Sequence, residues 1–306
     1  SGTYGQYGNP RGRETVVPRL DREIEVNVRT RRPIRSDAVK PQPFTAAATM
    51  YLSKYDLSGR NAFITGGGRG IGLAAADALL EAGAHVIISD ISAQILEEGR
   101  AELAAAGRDV EALLLDVSDA ESVRRVAAEA NERHGSVDIL VANAGIAWPD
   151  TGGEDMSDEV WRKVIDVDLN GAFWSCREFG RPMLQRGAGA IVTVGSMSGF
   201  ISNKPQRQAH YNAAKAGVHH LTRSLAGEWA ERGVRVNAVA PTYVDTIMSR
   251  GGFSDPALMP TWMDSTPMRR PARADEIASA ILFLASDASS AMTGTILLVD
   301  CGYTIW

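Results

Sequence analysis

Asn61-Ala-Phe-Ile-Thr65 is followed by Gly66-Gly-Gly-Arg69-Gly70-Ile71-Gly72, by the Ala/Leu-rich segment 73–82, and by His85-Val-Ile-Ile-Ser89-Asp90. The first and last of these pieces are short apolar runs of strand length. The piece between them has helix length and helix-forming composition. Strand, glycine turn, helix, strand is a βαβ unit, because two parallel strands need a crossover between them. Outward from this unit the alternation continues, with strands predicted at 111–115, 139–142, 190–194, 234–239 and 295–299 and helix-length segments between them. These runs are continuously apolar rather than alternating, as strands covered on both faces are. The sequence therefore predicts an α/β fold with a doubly wound parallel sheet.

The 306-residue chain changes character near residue 50. Pro10, Pro18, Pro33, Pro41 and Pro43 interrupt residues 1–49, where no helix or strand period settles and nine Lys/Arg face five Asp/Glu. Mitochondrial presequences are poor in acids, and this stretch is not. We expect 1–49 to be an irregular Pro/Arg-rich N-terminal extension and 50–306 to be a single self-contained domain.

A formal charge of −5 offers no basic surface for nucleic acid. The apolar runs are far shorter than the roughly 20 residues of a membrane helix, so we expect neither nucleic-acid nor membrane partners. Cys176 and Cys301 are too few for a disulfide framework or a zinc cage and fit a cytoplasmic protein. His85 and the pair His219-His220 have no acid or cysteine at ligand spacing, so packing or surface roles and no metal are expected. The six tryptophans read as core or interface anchors, except Trp148.

The glycine turn sits where backbone N–H groups and a helix dipole can hold a pyrophosphate. Its TGxxxGxG spacing gives Gly66, Arg69, Gly70, Ile71 and Gly72 as candidate contacts. Asp90 closes the second strand 18 residues after Gly72, where a carboxylate can bind a ribose and repel a 2′-phosphate. This favours NAD. Arg69 argues the other way, since a guanidinium could pair with that phosphate.

Tyr211 and Lys215, four residues apart, share one face of a helix. Upstream lie Asp116-Val117, Asn143-Ala144-Gly145, Asn170 in Asp168-Leu-Asn-Gly171, and Gly195-Ser196-Met-Ser198-Gly199; downstream comes Pro241-Thr-Tyr-Val244-Asp-Thr246. In order and position these motifs, from Asn61 to Gly302, resemble the short-chain dehydrogenase/reductase family, which implies a Rossmann sheet and hydride transfer to or from NAD(P). The resemblance implies that Tyr211 is the acid/base and that Lys215 favours its phenolate. By the same resemblance Ser196 binds the substrate oxygen, and Asn170 kinks its helix and holds a water linking Lys215 to solvent. Asp116 and Val117 would touch adenine. Asn143, Ala144 and Gly145 would line the cofactor, and Val244 and Thr246 would hold its carboxamide and pyrophosphate. The family's serine usually stands thirteen residues before the tyrosine, which would be Ser198. The strand-end motif instead selects Ser196 and leaves Ser198 in the substrate pocket with Asn203, Gln208, His210 and Trp148 at its rim. Thr242 departs from the glycine common at its position.

The GSMSG stretch and the end Asp300-Cys301-Gly302-Tyr303 resemble the polyol dehydrogenase branch, whose members turn sugar alcohols into ketoses. The alternatives are a 3-oxoacyl reductase using NADPH and a catalytically silent nucleotide sensor. Helices predicted at 171–186 and 208–232 have apolar outer faces, which with the resemblance suggests a homotetramer.

Overall fold

The computed structural model describes residues 50–306, so the expected extension 1–49 lies outside the described residues. Seven parallel strands, β1 (Asn61–Thr65), β2 (His85–Asp90), β3 (Glu111–Leu114), β4 (Ile139–Ala142), β5 (Gly189–Val194), β6 (Val234–Pro241) and β7 (Ile296–Val299), form one sheet in the order β3-β2-β1-β4-β5-β6-β7. The predicted strands all form, those at 61–65 and 139–142 with the expected bounds and the others with an end shifted by one or two residues. At β7 the Thr295 N–H goes to the side chain of Asn237 rather than into the ladder.

Side chains alternate between two apolar layers, which is why the runs are apolar throughout. From β1, Ala62 and Ile64 pack in one layer and Phe63 in the other. From β4, Ile139 and Val141 divide from Leu140 and Ala142 in the same way. The first layer is covered by α1 (Gly70–Glu81), α2 (Ala93–Ala105) and α9 (Ala274–Ala285). The second is covered by α3 (Ala120–His134), α5 (Gly171–Arg186) and part of α6 (Ala209–Trp229), with Phe63 against Phe179 at 4.4 Å between ring centroids. Each fully buried aliphatic or aromatic side chain of this kind contributes about 1.5–3 kcal/mol.

Three further helices, α4 (Asp158–Ile165), α7 (Ile247–Phe253) and α8 (Met259–Ser265), stand over the carboxyl ends of the strands. Between α4 and α5 the chain makes a turn of π-helix, Asp166–Asn170, whose extra residue rotates the side chains that follow. The strand order reverses between β1 and β4, and a crevice opens at their carboxyl ends, where doubly wound sheets take their ligands.

Candidate active site

Thr65, at the end of β1, fixes the crevice. Its hydroxyl accepts the N–H groups of Asn143 and Ala144 at 3.0 Å each, while Asn143 Nδ2 donates to the carbonyls of Thr65 and Gly66 at 2.9 Å each. Asn143 thus borders the cleft with its amide nitrogen committed to holding the glycine turn. Gly66 has φ +62°, which favours glycine. A Cβ on Gly72 would stand 2.2 Å from the Gly66 carbonyl, so Gly72 lies beneath the turn rather than on the cleft wall where the sequence placed it. Its side chain is excluded by packing.

The cleft has a volume of about 1400 Å³ and runs across the switch point. Gly66, Arg69, Gly70 and Ile71 line it, with Asp90 at the end of β2, Asp116 and Val117 after β3, Asn143–Gly145 after β4, and Val244 and Thr246 after β6. The first turn of α1 carries no acidic residue, and no side chain caps it at Arg69. Its leading N–H groups therefore remain available to an anion. A dinucleotide fits this cradle: pyrophosphate at α1, adenosine toward Asp90 and Asp116. Arg69 is exposed beside them.

At the other end α6 carries Tyr211 and Lys215 one turn apart, with Lys215 Nζ 5.4 Å from the Tyr211 ring centroid and donating to the Val194 carbonyl at 3.2 Å. Ser196 follows β5 in extended geometry and lines the cleft with Tyr211, where it favours the phenolate. Its hydroxyl also accepts the Ser198 N–H at 3.1 Å. Burial pushes the Tyr211 phenol above its ordinary range; the Lys215 charge opposes that, and Asp168 adds to it. Ser198, Asn203, Gln208 and Trp148 all line the same cleft, with Gln208 Nε2 3.5 Å from Ser198 Oγ and the Lys163 ammonium 5.1 Å over the Trp148 ring. Thr242, the departure from the common glycine, is buried in this wall with its hydroxyl unpartnered.

A second expected residue, after Gly72, is misplaced. Asn170 turns away from the cleft and gives its amide to Asp166 at 2.8 Å; the side chain that reaches Lys215 is Asp168, 3.3 Å away. A turn of π-helix stands where the kink was expected of Asn170, and its extra residue changes which side chain faces inward. An acid two positions earlier could have been weighed from sequence; its orientation could not.

His210 is fully buried, accepting the Tyr211 N–H on Nδ1 at 2.8 Å, and does not line the cleft as expected. Tyr243 and Trp262 were missed. They stack at 3.8 Å and 10° and form a cleft wall held by Gln206, which donates to the Tyr243 hydroxyl at 2.8 Å and accepts from Trp262 Nε1 at 3.0 Å. Their positions after β6 and on α8 have no short-range signal linking them. Trp262, read as a core or interface anchor, thus belongs to the site.

His219 is buried behind Ser196, packed on Phe200 at 4.5 Å, as a packing histidine. The fold does supply His85 with an acid that sequence spacing lacked. His134 lies 2.8 Å from Glu111, and the two imidazoles are 4.5 Å apart. Their ligand atoms and that of Glu111 lie within 4.8 Å of one another. Arg133 already balances Glu111 at 2.9 Å, and the cluster sits where β2 and β3 begin, at the opposite end of the sheet from the cleft. Among the described residues, no helix is long and apolar enough to cross a membrane.

Comparison with known proteins agrees with this geometry. A family model described as enoyl-(acyl carrier protein) reductase matches residues 66–304. The chain is 48% identical over 256 residues to a galactitol 2-dehydrogenase of Rhizobium johnstonii, covering 84% of this chain and 99% of that protein. It is 49% identical, with the same coverage, to the L-tagatose-forming galactitol 2-dehydrogenase of Cereibacter sphaeroides. The crystal structure of gox2181 superposes with a TM-score of 0.82 at 50% identity, covering 84% of this chain and 100% of that one.

Proposed function

Because the chain belongs to the short-chain dehydrogenase/reductase family, in its polyol dehydrogenase branch, and is an NAD(P)-dependent oxidoreductase interconverting a secondary alcohol and its ketone, we propose that it oxidises a hexitol such as galactitol to a ketose with NAD. The observation that carries this reading is the make-up of the cleft beside Tyr211. Ser198, Asn203, Gln206 and Gln208 line it, and the buried Oδ1 of Asn203 has no partner among the described residues. Such groups favour a ligand rich in hydroxyls and penalise an apolar one by about 1–3 kcal/mol for each group left unmet. A 3-oxoacyl substrate would leave them unmet.

A nicotinamide dinucleotide held by Gly66, Arg69, Gly70, Ile71 and Asp90 would supply the hydride acceptor for the carbinol carbon. Ser196 donates a hydrogen bond to the reacting oxygen and holds it beside the phenol. Tyr211 accepts the hydroxyl proton as the hydride leaves and returns it in the reverse direction, so the same residue is base or acid by direction. Lys215 stabilises the phenolate by its charge. NAD is favoured over NADP by Asp90, which lines the adenosine end of the cleft and would repel a 2′-phosphate.

We also propose a cytoplasmic homotetramer, supported by Phe173 left exposed on α5, with residues 50–306 as its folding unit. Light scattering of the purified chain would measure the assembly. The function is tested by initial rates for pentitols, hexitols and a 3-oxoacyl thioester with NAD and NADP. Fastest turnover of a hexitol with NAD is expected. Preference for the thioester would overturn the substrate assignment.

A further inference from the structure

The π turn after α4 drives Asp168 into the cleft wall, where its side chain is completely buried. One oxygen is occupied: Oδ1 accepts the Ile146 N–H at 2.8 Å and ties the turn after β4 to the site. The other, Oδ2, lies 3.3 Å from Lys215 Nζ but has no aligned hydrogen-bond donor, so the contact is chiefly electrostatic. Gly145 makes room for it, since a Cβ there would stand 3.3 Å from both Oδ2 and Nζ. A carboxylate this far from water is costly unless a charge balances it. The balancing charge is the ammonium that serves Tyr211.

We propose that Asp168 is a positioning residue that holds Lys215 as an ammonium and sets the pH at which the Tyr211–Lys215 pair gives up its proton. The proposal rests on the reading of Tyr211 as the proton carrier. Asp168, Lys215 and the neutral phenol together carry no net charge, and losing one proton leaves a net negative charge in a desolvated wall. The Asp168 charge opposes that loss whichever partner gives the proton, by repelling a phenolate and by attracting the ammonium. Burial works against the Lys215 ammonium, yet Asp168 and Tyr211 together hold it above its ordinary range. The pair is therefore poised to ionise when further positive charge enters the cleft, as an oxidised nicotinamide ring brings.

Two histidines also act on this group of charges, His210 on Asp168 and His219 on Lys215. His210, on the same helix, accepts the Tyr211 N–H on Nδ1. His219 faces Ser196 and feels the charges of Arg223 and Lys215. Asp166 on the π turn takes the Asn170 amide, and β5 offers only the Val194 carbonyl and the Ser196 hydroxyl.

The test follows tyrosinate absorbance against pH in the full chain, in Asp168→Asn and in Asp168→Ala, with the Tyr211 step identified by its loss in Tyr211→Phe. Asn keeps an acceptor for Ile146 and removes only the charge; Ala removes both. In both variants the step should move to lower pH by about 1–3 units, the range for a single close charge. The acid limb of kcat/KM for alcohol oxidation should move with it, and that limb carries the test if the phenol ionises only as the protein unfolds. A purely structural role would lower the thermal midpoint of Asp168→Ala and leave the titration unmoved in both variants, which overturns the proposal. Full turnover in Tyr211→Phe would instead sink the functional reading, a separate outcome read from a separate protein.

Discussion

The backbone N–H of Ser196 donates to Nε2 of His219 over 3.4 Å, so the serine at the reacting centre is held from behind by a buried imidazole. Burial is the largest cause that lowers the His219 pKa to about 4, with the charges of Arg223 and Lys215 adding to it. In the unfolded chain the ring would titrate near its ordinary value of about 6.5. The folded value is the depressed one, so the stability from the neutral ring is complete above about pH 6.5 and is lost as the pH falls toward about 4. Thermal midpoints measured across that window should fall for the natural chain and more gently for His219→Ala. An equal slope in both would show that other groups carry the acid sensitivity.

Tyr211→Phe keeps the ring and removes the proton acceptor. Cofactor affinity, measured by fluorescence titration, should stay within a few-fold, while kcat falls by about 100-fold or more, the usual loss of an acid/base group.

Ser196 and Ser198 make different contacts, and their variants should differ accordingly. Ser196 lines the cleft with Tyr211, where it would hold the reacting oxygen, so Ser196→Ala should lower kcat and kcat/KM together by about 100-fold. Ser198 meets Gln208 in the cleft wall, so Ser198→Ala should chiefly raise KM for hexitols and spare shorter alcohols. Steady-state kinetics on a short and a long polyol separates the two. A reversed pattern would assign the reacting oxygen to Ser198.

Asp90→Ala removes a ribose partner and a negative charge at the adenosine end. The ratio of kcat/KM for NADP to that for NAD should rise by at least about tenfold, with Arg69 left to meet a 2′-phosphate. An unchanged ratio would mean that Asp90 does not select the cofactor.

Much of this was legible in the chain itself. The apolar runs from Asn61 to Val299 announced the strands because burial on both faces leaves a continuous signature, and Tyr211 and Lys215 were paired because four residues on a helix return to the same face. The glycines at 66–72 located the phosphate end for a similarly local reason, a turn whose backbone conformation and close packing few side chains permit. Contacts between distant segments left no such trace. Tyr243 stacks on Trp262 and is braced by Gln206, three residues brought together only by the loops after β5 and β6 and by α8. His85 found Glu111 and His134 only because β2, β3 and α3 begin or end side by side.

Asp168 marks the boundary most clearly. The family resemblance of the sequence pointed to Asn170 as the residue that kinks its helix and is linked to Lys215, in a segment that also carries Asp166 and Asp168. Which of them points inward depends on one extra residue in a π turn, in a segment that packs against α6. Tertiary structure therefore decided that a buried carboxylate, and not the Asn170 amide, faces the catalytic lysine.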